Sequence, residues 1–177
     1  LSLRILKQTQ TPNCDLGKYV SERLWAPSHD GTLVPMDIVR HVDTPLNGTA
    51  SALLYVYGAY EISVAPWFSV ARLSLLDRGF IWALAHPRGG GEMGRDWYLN
   101  GKYLSKKNTF FDTIACAEHL ANANICSSSR IVVRGGSAGG DRRRGRARWH
   151  RARPSPRHAA RLRVGCGLRP APYRRAL

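Results

Sequence analysis

The basicity of this 177-residue chain is concentrated at one end: of a formal net charge of +15, residues 141–177 carry +12 and residues 1–140 only +3. An evenly spread charge of that size would indicate a nucleic-acid-binding protein, whereas residues 1–140 have the near-neutral composition of one ordinary globular domain. Cys14, Cys116, Cys126 and Cys166 form no C-x-x-C pair, which argues against a zinc site or a disulfide scaffold and for reduced thiols in a cytoplasmic protein. No apolar run approaches the ~20 residues of a membrane span, and no secretory signal opens the chain, so no membrane association is expected. The first residue is Leu1, not methionine, so we expect a piece of a longer polypeptide.

In chain order, residues 1–19 are polar and irregular, broken at Pro12-Asn13 and Leu16-Gly17, and read as a connector. Residues 20–40 predict a β-hairpin turning at Ser28-His29-Asp30-Gly31, with Val34, Met36 and Ile38 alternating against Pro35, Asp37 and Val39. Pro35 lacks an N–H and predicts that the returning strand lies near a sheet edge. Ala52-Leu53-Leu54-Tyr55-Val56-Tyr57 is a continuous apolar run, as for a strand buried on both faces. Residues 66–78 predict a helix, with Pro66 in its first turn and Gly79 just past its end. Phe80-Ile81-Trp82-Ala83-Leu84-Ala85 is a second buried strand, opening into the glycine-rich loop His86-Pro87-Arg88-Gly89-Gly90-Gly91-Glu92. Residues 108–122 predict a helix in which Thr109 and Asp112 form a capping box and Phe110, Ile114, Ala117 and Ala121 share one stripe. Strands alternating with helices indicate an α/β fold with a mostly parallel sheet.

The next strand, Ile131-Val132-Val133, runs into Arg134-Gly135-Gly136-Ser137-Ala138-Gly139-Gly140. A β-branched strand ending in G-x-S-x-G is the pattern of a nucleophile elbow, a sharp strand-to-helix turn that lifts a serine hydroxyl clear of the sheet. Bulky side chains two residues either side of the serine would clash, which gives Gly135 and Gly139 a steric reason to be there. The motif by itself also fits a Gly-Ser-rich surface turn; the strand feeding it favours the elbow.

Beyond residue 140 the composition changes abruptly. Arg, Ala, Pro and Gly make up 26 of the 37 residues from Asp141 to Leu177, and no apolar period is sustained. Such a tract buries too little apolar surface to offset its ordering entropy, so disorder is the expectation. It reads either as a basic arm for RNA or DNA phosphates or as GC-rich coding sequence translated out of frame. The second is favoured, because an elbow should lead into an apolar helix packing under the sheet, and Asp141-Arg142-Arg143-Arg144 does not supply one.

Residues from about Leu6 to Gly140 resemble the start of the catalytic domain in the prolyl oligopeptidase family of serine peptidases, and are most similar to its oligopeptidase B (protease II) branch. The stretches that carry the resemblance are Ser21-Glu22-Arg23-Leu24-Trp25, Tyr55-Val56-Tyr57-Gly58-Ala59-Tyr60, Arg72-Leu73-Ser74-Leu75-Leu76-Asp77-Arg78-Gly79-Phe80, His86-Pro87-Arg88-Gly89-Gly90-Gly91-Glu92, Lys106-Lys107-Asn108-Thr109-Phe110 and Gly135-Gly136-Ser137-Ala138-Gly139-Gly140. The resemblance implies a partial α/β-hydrolase fold: a connector at 1–19 trailing from a β-propeller, the N-terminal part of the catalytic domain at 20–140, and a tail at 141–177 foreign to the family. It makes Ser137 the nucleophile, in an elbow with Gly135, Gly136 and Gly139, and makes the Ala138 backbone N–H and the Tyr57 hydroxyl the oxyanion donors. The position of Tyr57 supports this independently, at the end of the strand that should lie beside the elbow strand.

His86 precedes the serine, whereas the triad of this fold runs serine, acid, histidine, so local hydrogen bonding is its expected role. Arg88 and Glu92 are expected to make packing or ion-pair contacts. The activity implied is hydrolysis of short peptides through a Ser137 acyl-enzyme, after basic residues as in the oligopeptidase B branch, without cofactor or metal. Downstream of Ser137 the only acid is Asp141 and the only histidines are His150 and His158, so the chain by itself is expected to be inactive. The alternatives are an esterase or lipase on the same fold and a non-enzymatic, arginine-rich nucleic-acid-binding protein. A His-Gly-Gly-Gly loop would favour the esterase, but His86-Pro87-Arg88 stands before the glycines.

Overall fold

A computed structural model of the chain describes residues 4–7, 11 and 13–137; Ala138, Gly139, Gly140 and the tail 141–177 lie outside the described residues. Five strands form one sheet in the order β1-β2-β4-β3-β5. They are β1 (Tyr19–Pro27), β2 (Leu33–His41), β3 (Ser51–Val56), β4 (Phe80–Ala85) and β5 (Ile131–Arg134). The helices are α1 (Val70–Leu76), α2 (Arg95–Leu99) and α3 (Lys107–Asn122).

β1 and β2 form the hairpin, paired antiparallel from Tyr19↔His41 to Pro27↔Leu33. Its turn is closed by Ser28 N donating to Thr32 O (2.8 Å) and Gly31 N donating to Ser28 O (2.9 Å), and is eased by Gly31 at φ 80°. β3 lies parallel to both β4 and β5, so the sheet is mixed: an antiparallel hairpin on a parallel core. β3 reaches β4 through α1 on one side and β4 reaches β5 through α3, with β5 on the far side of β3. Strand order therefore reverses direction at β3, the topological switch point outside whose carboxyl edge α/β sheets bind ligands.

The side chains of Ala26, Val34, Met36, Ile38, Ala52, Leu54, Val56, Ile81, Ala83, Ala85, Ile131 and Val133 form one face of the sheet, packed with Cys116, Ala117 and Leu120 of α3. Burial of this kind is the main favourable term in the fold. α1 packs on β4 and β2.

Several sequence expectations are corrected. β2 is an interior strand, between β1 and β4. Pro35 stands one residue beyond the Met36↔Ala85 end of the β4 pairing: its carbonyl still accepts from His86 N (3.0 Å), and the His86 carbonyl that its missing N–H leaves free accepts from Trp97 Nε1 (3.1 Å). β3 alternates buried with half-buried residues and is not covered equally on both faces, whereas β4 is buried from Ile81 to Ala85. The first helix begins at Val70 rather than near Pro66. Arg72 holds the preceding segment by donating to Trp67 O (2.7 Å) and lying over the rings of Trp67 and Trp82, 5.0 and 4.5 Å from their centroids.

Thr109 and Asp112 do not form a capping box. α3 starts at Lys107 with no side-chain cap bond, and both residues are buried. The buried face of α3 runs through Thr109, Asp112, Thr113, Cys116 and Leu120, with Phe110, Ile114 and Ala121 at its margin. The short helix α2 carries too few residues to show a period in the sequence.

Candidate active site

The site is built from the segments that leave β3 and β5 at their carboxyl ends. These neighbours are parallel with Tyr55 opposite Arg134, so Tyr57 stands two residues past one end of the rung and Ser137 three past the other. Ser137 is exposed and has φ 50°, a left-handed conformation that costs a non-glycine residue ~1–2 kcal/mol. A strained serine three residues past β5, the edge strand of the described sheet, fits the backbone that a nucleophile elbow requires. A Cβ at Gly136 would meet nothing within 4 Å, so no crowding among the described residues demands glycine there. Ala138 and Gly139, assigned to the oxyanion hole and the elbow, lie outside the described residues.

Tyr57 is half-buried and opens a tightly held loop. Gly58 has φ 65°, and a Cβ there would come within 2.7 Å of both Pro87 Cγ and Thr109 Cγ2, so only glycine fits. After Ala59 come Tyr60 and Glu61, both in left-handed conformations at φ 57° and 59°. Strain in two consecutive non-glycine residues persists only where surrounding contacts dictate it. Here Glu61 N donates to Gly89 O (3.1 Å), Ile62 N to Ala59 O (3.1 Å) and Val64 N to Glu92 Oε1 (3.0 Å), and Arg95 pairs with the Glu61 carboxylate.

The glycine-rich loop after β4 carries two buried polar clusters. His86 is 2% exposed; its Nε2 is 2.9 Å from Asp37 Oδ2 and its Nδ1 3.3 Å from Glu92 Oε1. Burial pulls its pKa down, but hydrogen bonds and charge from Glu92 and Asp37 outweigh that and hold it above the ordinary histidine value. With both ring nitrogens engaged, His86 ties the loop to β2.

Arg88 forms the second cluster. It donates to Asp112 through its backbone N (2.9 Å), Nε (2.9 Å) and Nη2 (2.7 Å), and to Asp30 through Nη1 (2.6 Å). Ser28 Oγ adds a further bond to Asp112 (2.7 Å). Hydrogen bonding to Asp112, then to Asp30, raises the Arg88 pKa further above its already high value.

Sequence reasoning gave no role to Asp112 beyond a cap and none to Lys106. The signal for Asp112 was present: it shares a helical stripe with Thr113, Cys116 and Leu120, and an acid on a buried stripe needs a cation, which Arg88 supplies. Lys106 has no comparable signature, because its partner is a backbone carbonyl. Its Nζ donates to Gly58 O and to Thr109 Oγ1 (3.2 Å), and burial holds its pKa below the ordinary lysine value.

Among the described residues there is no group of three or more His, Cys, Asp and Glu side chains that could hold a metal, and no helix long and apolar enough to cross a membrane.

Residues 66–141 match the prolyl oligopeptidase family. The chain is similar to dipeptidyl aminopeptidase BI of Pseudoxanthomonas mexicana, 48% identical over 138 residues that make up 77% of this chain and 19% of the relative. It is 44% identical to protease 2 of Moraxella lacunata over 71% of this chain and 18% of that protein. Among solved structures, oligopeptidase B from Trypanosoma brucei with covalently bound antipain superposes with a TM-score of 0.70 at 45% identity, covering 72% of this chain and 18% of that one. The chain thus spans about a fifth of the length of the curated relatives it matches. On these matches and on the α/β-hydrolase sheet that carries Ser137, the chain belongs to the prolyl oligopeptidase family of serine peptidases, as an N-terminal part of the catalytic domain.

Proposed function

We propose that this chain supplies the nucleophile and oxyanion half of a serine peptidase site that hydrolyses short peptides through an acyl-enzyme on Ser137. The observation that carries the reading is Ser137 at φ 50° just past β5, beside the parallel strand β3, whose last residue Val56 leads directly into Tyr57. In the reaction Ser137 Oγ bonds to the scissile carbonyl carbon and gives its proton to a base. The carbonyl oxygen becomes an oxyanion, which accepts hydrogen bonds from the Tyr57 hydroxyl and the Ala138 N–H. Collapse breaks the C–N bond, the leaving amine takes the proton, and water then releases the acyl group from Ser137.

Cleavage after basic residues is the specificity we propose, supported by similarity to oligopeptidase B and protease 2. The base and its orienting acid come after the serine in this fold. Beyond Ser137 this chain offers only Asp141, His150 and His158, so the 177-residue chain by itself is proposed to be inactive.

A peptidyl boronic acid tests the site without turnover, because its boron accepts the serine oxygen and places a hydroxyl where the oxyanion would form. We expect a tetrahedral boron signal with the wild-type chain and none with Ser137→Ala, and tighter binding of an arginine than a norleucine boronate. A wild-type chain that gives no tetrahedral signal at millimolar boronate would overturn the reading.

A further inference from the structure

We propose that Lys106 is a positioning residue of this site: its ammonium, bonded to the carbonyl of Gly58, fixes the backbone turn that carries Tyr57 and so holds the phenol toward Ser137. The inference rests on the reading of Ser137 and Tyr57 given above. Lys106 stands where α3 begins, and its Nζ lies between Gly58 O and Thr109 Oγ1. Among the described residues no carboxylate lies within 4.0 Å of it, so the carbonyl and the hydroxyl are its counterparts in place of an ion pair. A half-buried cation without an anion is costly, and charge-assisted donation to a backbone oxygen is the interaction that compensates it.

The place it holds has no slack. Gly58 is at φ 65° against Pro87 and Thr109, and a Cβ on Gly89 would come within 2.4 Å of Gly58 O. Thr109 Oγ1 in turn donates to Arg88 O, which joins the Lys106 contact to the glycine-rich loop. Tyr57 precedes Gly58 directly, so a shift of the Gly58–Ala59 peptide is passed through the Gly58 Cα to the Tyr57–Gly58 peptide beside the phenol. Oxyanion donors act through pre-set geometry, and a displacement of about 1 Å is enough to lose much of their effect. A general contribution to folding would leave ground-state and tetrahedral binding equally affected; a positioning role separates them.

The test compares two ligands on the full 177-residue chain: a peptidyl boronate, which needs the oxyanion donors once it is tetrahedral, and the same peptide as its amide, which does not. Lys106→Met is expected to weaken the boronate about tenfold while the amide changes less than twofold. Equal losses for both ligands, or no loss for either in a folded variant, would overturn the proposal. If the wild type forms no adduct with Ser137, the nucleophile reading itself fails and this proposal with it; loss in the variant alone leaves that reading standing.

Should Lys106→Met not fold, the wild type decides. The Gly58 carbonyl carbon and the Tyr57 ring resonances are tracked by NMR as Lys106 loses its proton, at a pH below the ordinary lysine value. Both are expected to move together. A Gly58 signal that titrates while the Tyr57 ring stays fixed would show that the ammonium does not position the phenol.

Discussion

At the scale of single residues, Asp112 shows how much of the site's rigidity rests on one buried carboxylate. It is fully buried and accepts four hydrogen bonds, three from Arg88 and one from Ser28, so β4's loop, the hairpin turn and α3 converge on it. Replacing both charges by matched apolar groups need not destabilise a protein, whereas removing one partner strands the other in a low-dielectric interior. In Asp112→Ala the Arg88 guanidinium keeps only Asp30 and a long contact to Ser28 Oγ, and the Arg88 backbone N–H loses its acceptor. We expect a loss of about 3–5 kcal/mol in unfolding free energy, read from urea denaturation. Ser28→Ala removes a single neutral donor and is expected to cost about 0.5–1.5 kcal/mol in the same measurement. If the two variants cost the same, the charge pair is not what holds the cluster.

At the scale of elements, the sequence was legible where a pattern is local and repeated. The hairpin, β4 and β5 emerge from alternation or β-branched runs, and Ser137 stood out as a candidate because G-x-S-x-G requires only neighbouring residues. It was not legible where a distant partner overrides propensity. Thr109 and Asp112 have the spacing of a cap but turn inward toward Arg88, more than twenty residues earlier in the chain, where Asp112 accepts from the guanidinium and Thr109 donates to the Arg88 carbonyl. Pro35 looked like an edge residue because the end of the β4 ladder cannot be read from β2 alone. His86 makes the hydrogen bonds expected of it, to Glu92 of its own loop; what could not be read was its distant partner Asp37 of β2, which Arg23 of β1 pairs in turn (2.7 Å). A histidine whose folded pKa is raised contributes stability that is complete below the unfolded value of about 6.5 and is lost as pH rises through the folded value. Asp37 works in the opposite direction. Burial raises its pKa, but bonds from Arg23 and His86 outweigh that and hold it down, so its contribution is present above the unfolded value of about 3.9 and lost in acid. The melting temperature should therefore fall as pH is raised above about 6.5, and His86→Gln should flatten that limb while leaving the acid limb in place. An unchanged alkaline limb in the variant would remove His86 from the account.

At the scale of the whole molecule, two stretches of very different charge share one chain, and they should behave separably. Residues 1–140 carry a net +3 and include the sheet with Ser137, Tyr57 and the buried clusters; residues 141–177 carry +12 from thirteen arginines and a single acid. A density of one arginine in about three residues attracts any polyanion by counterion release, whatever the origin of the sequence, and such binding weakens steeply with salt. Family membership rests on residues 66–141 and on the sheet, so polyanion binding need not be a function of the domain. We expect the full chain to bind single-stranded RNA and DNA of any sequence alike, with log K falling linearly in log salt at a slope of about −0.7 per phosphate contacted. Truncation after Gly140 should abolish that binding, while Ser137→Ala should leave it untouched. The nucleic-acid-binding alternative makes a different prediction, a preference for particular bases or for RNA over DNA that survives at about 0.2 M salt, because base edges and 2′-hydroxyls are read by contacts that counterion release does not supply. Filter binding of matched RNA and DNA oligonucleotides across a salt series separates the two. Indifference to sequence and sugar leaves the arginine tract a charged appendage, and selectivity that persists at high salt would make it a nucleic-acid-recognition segment.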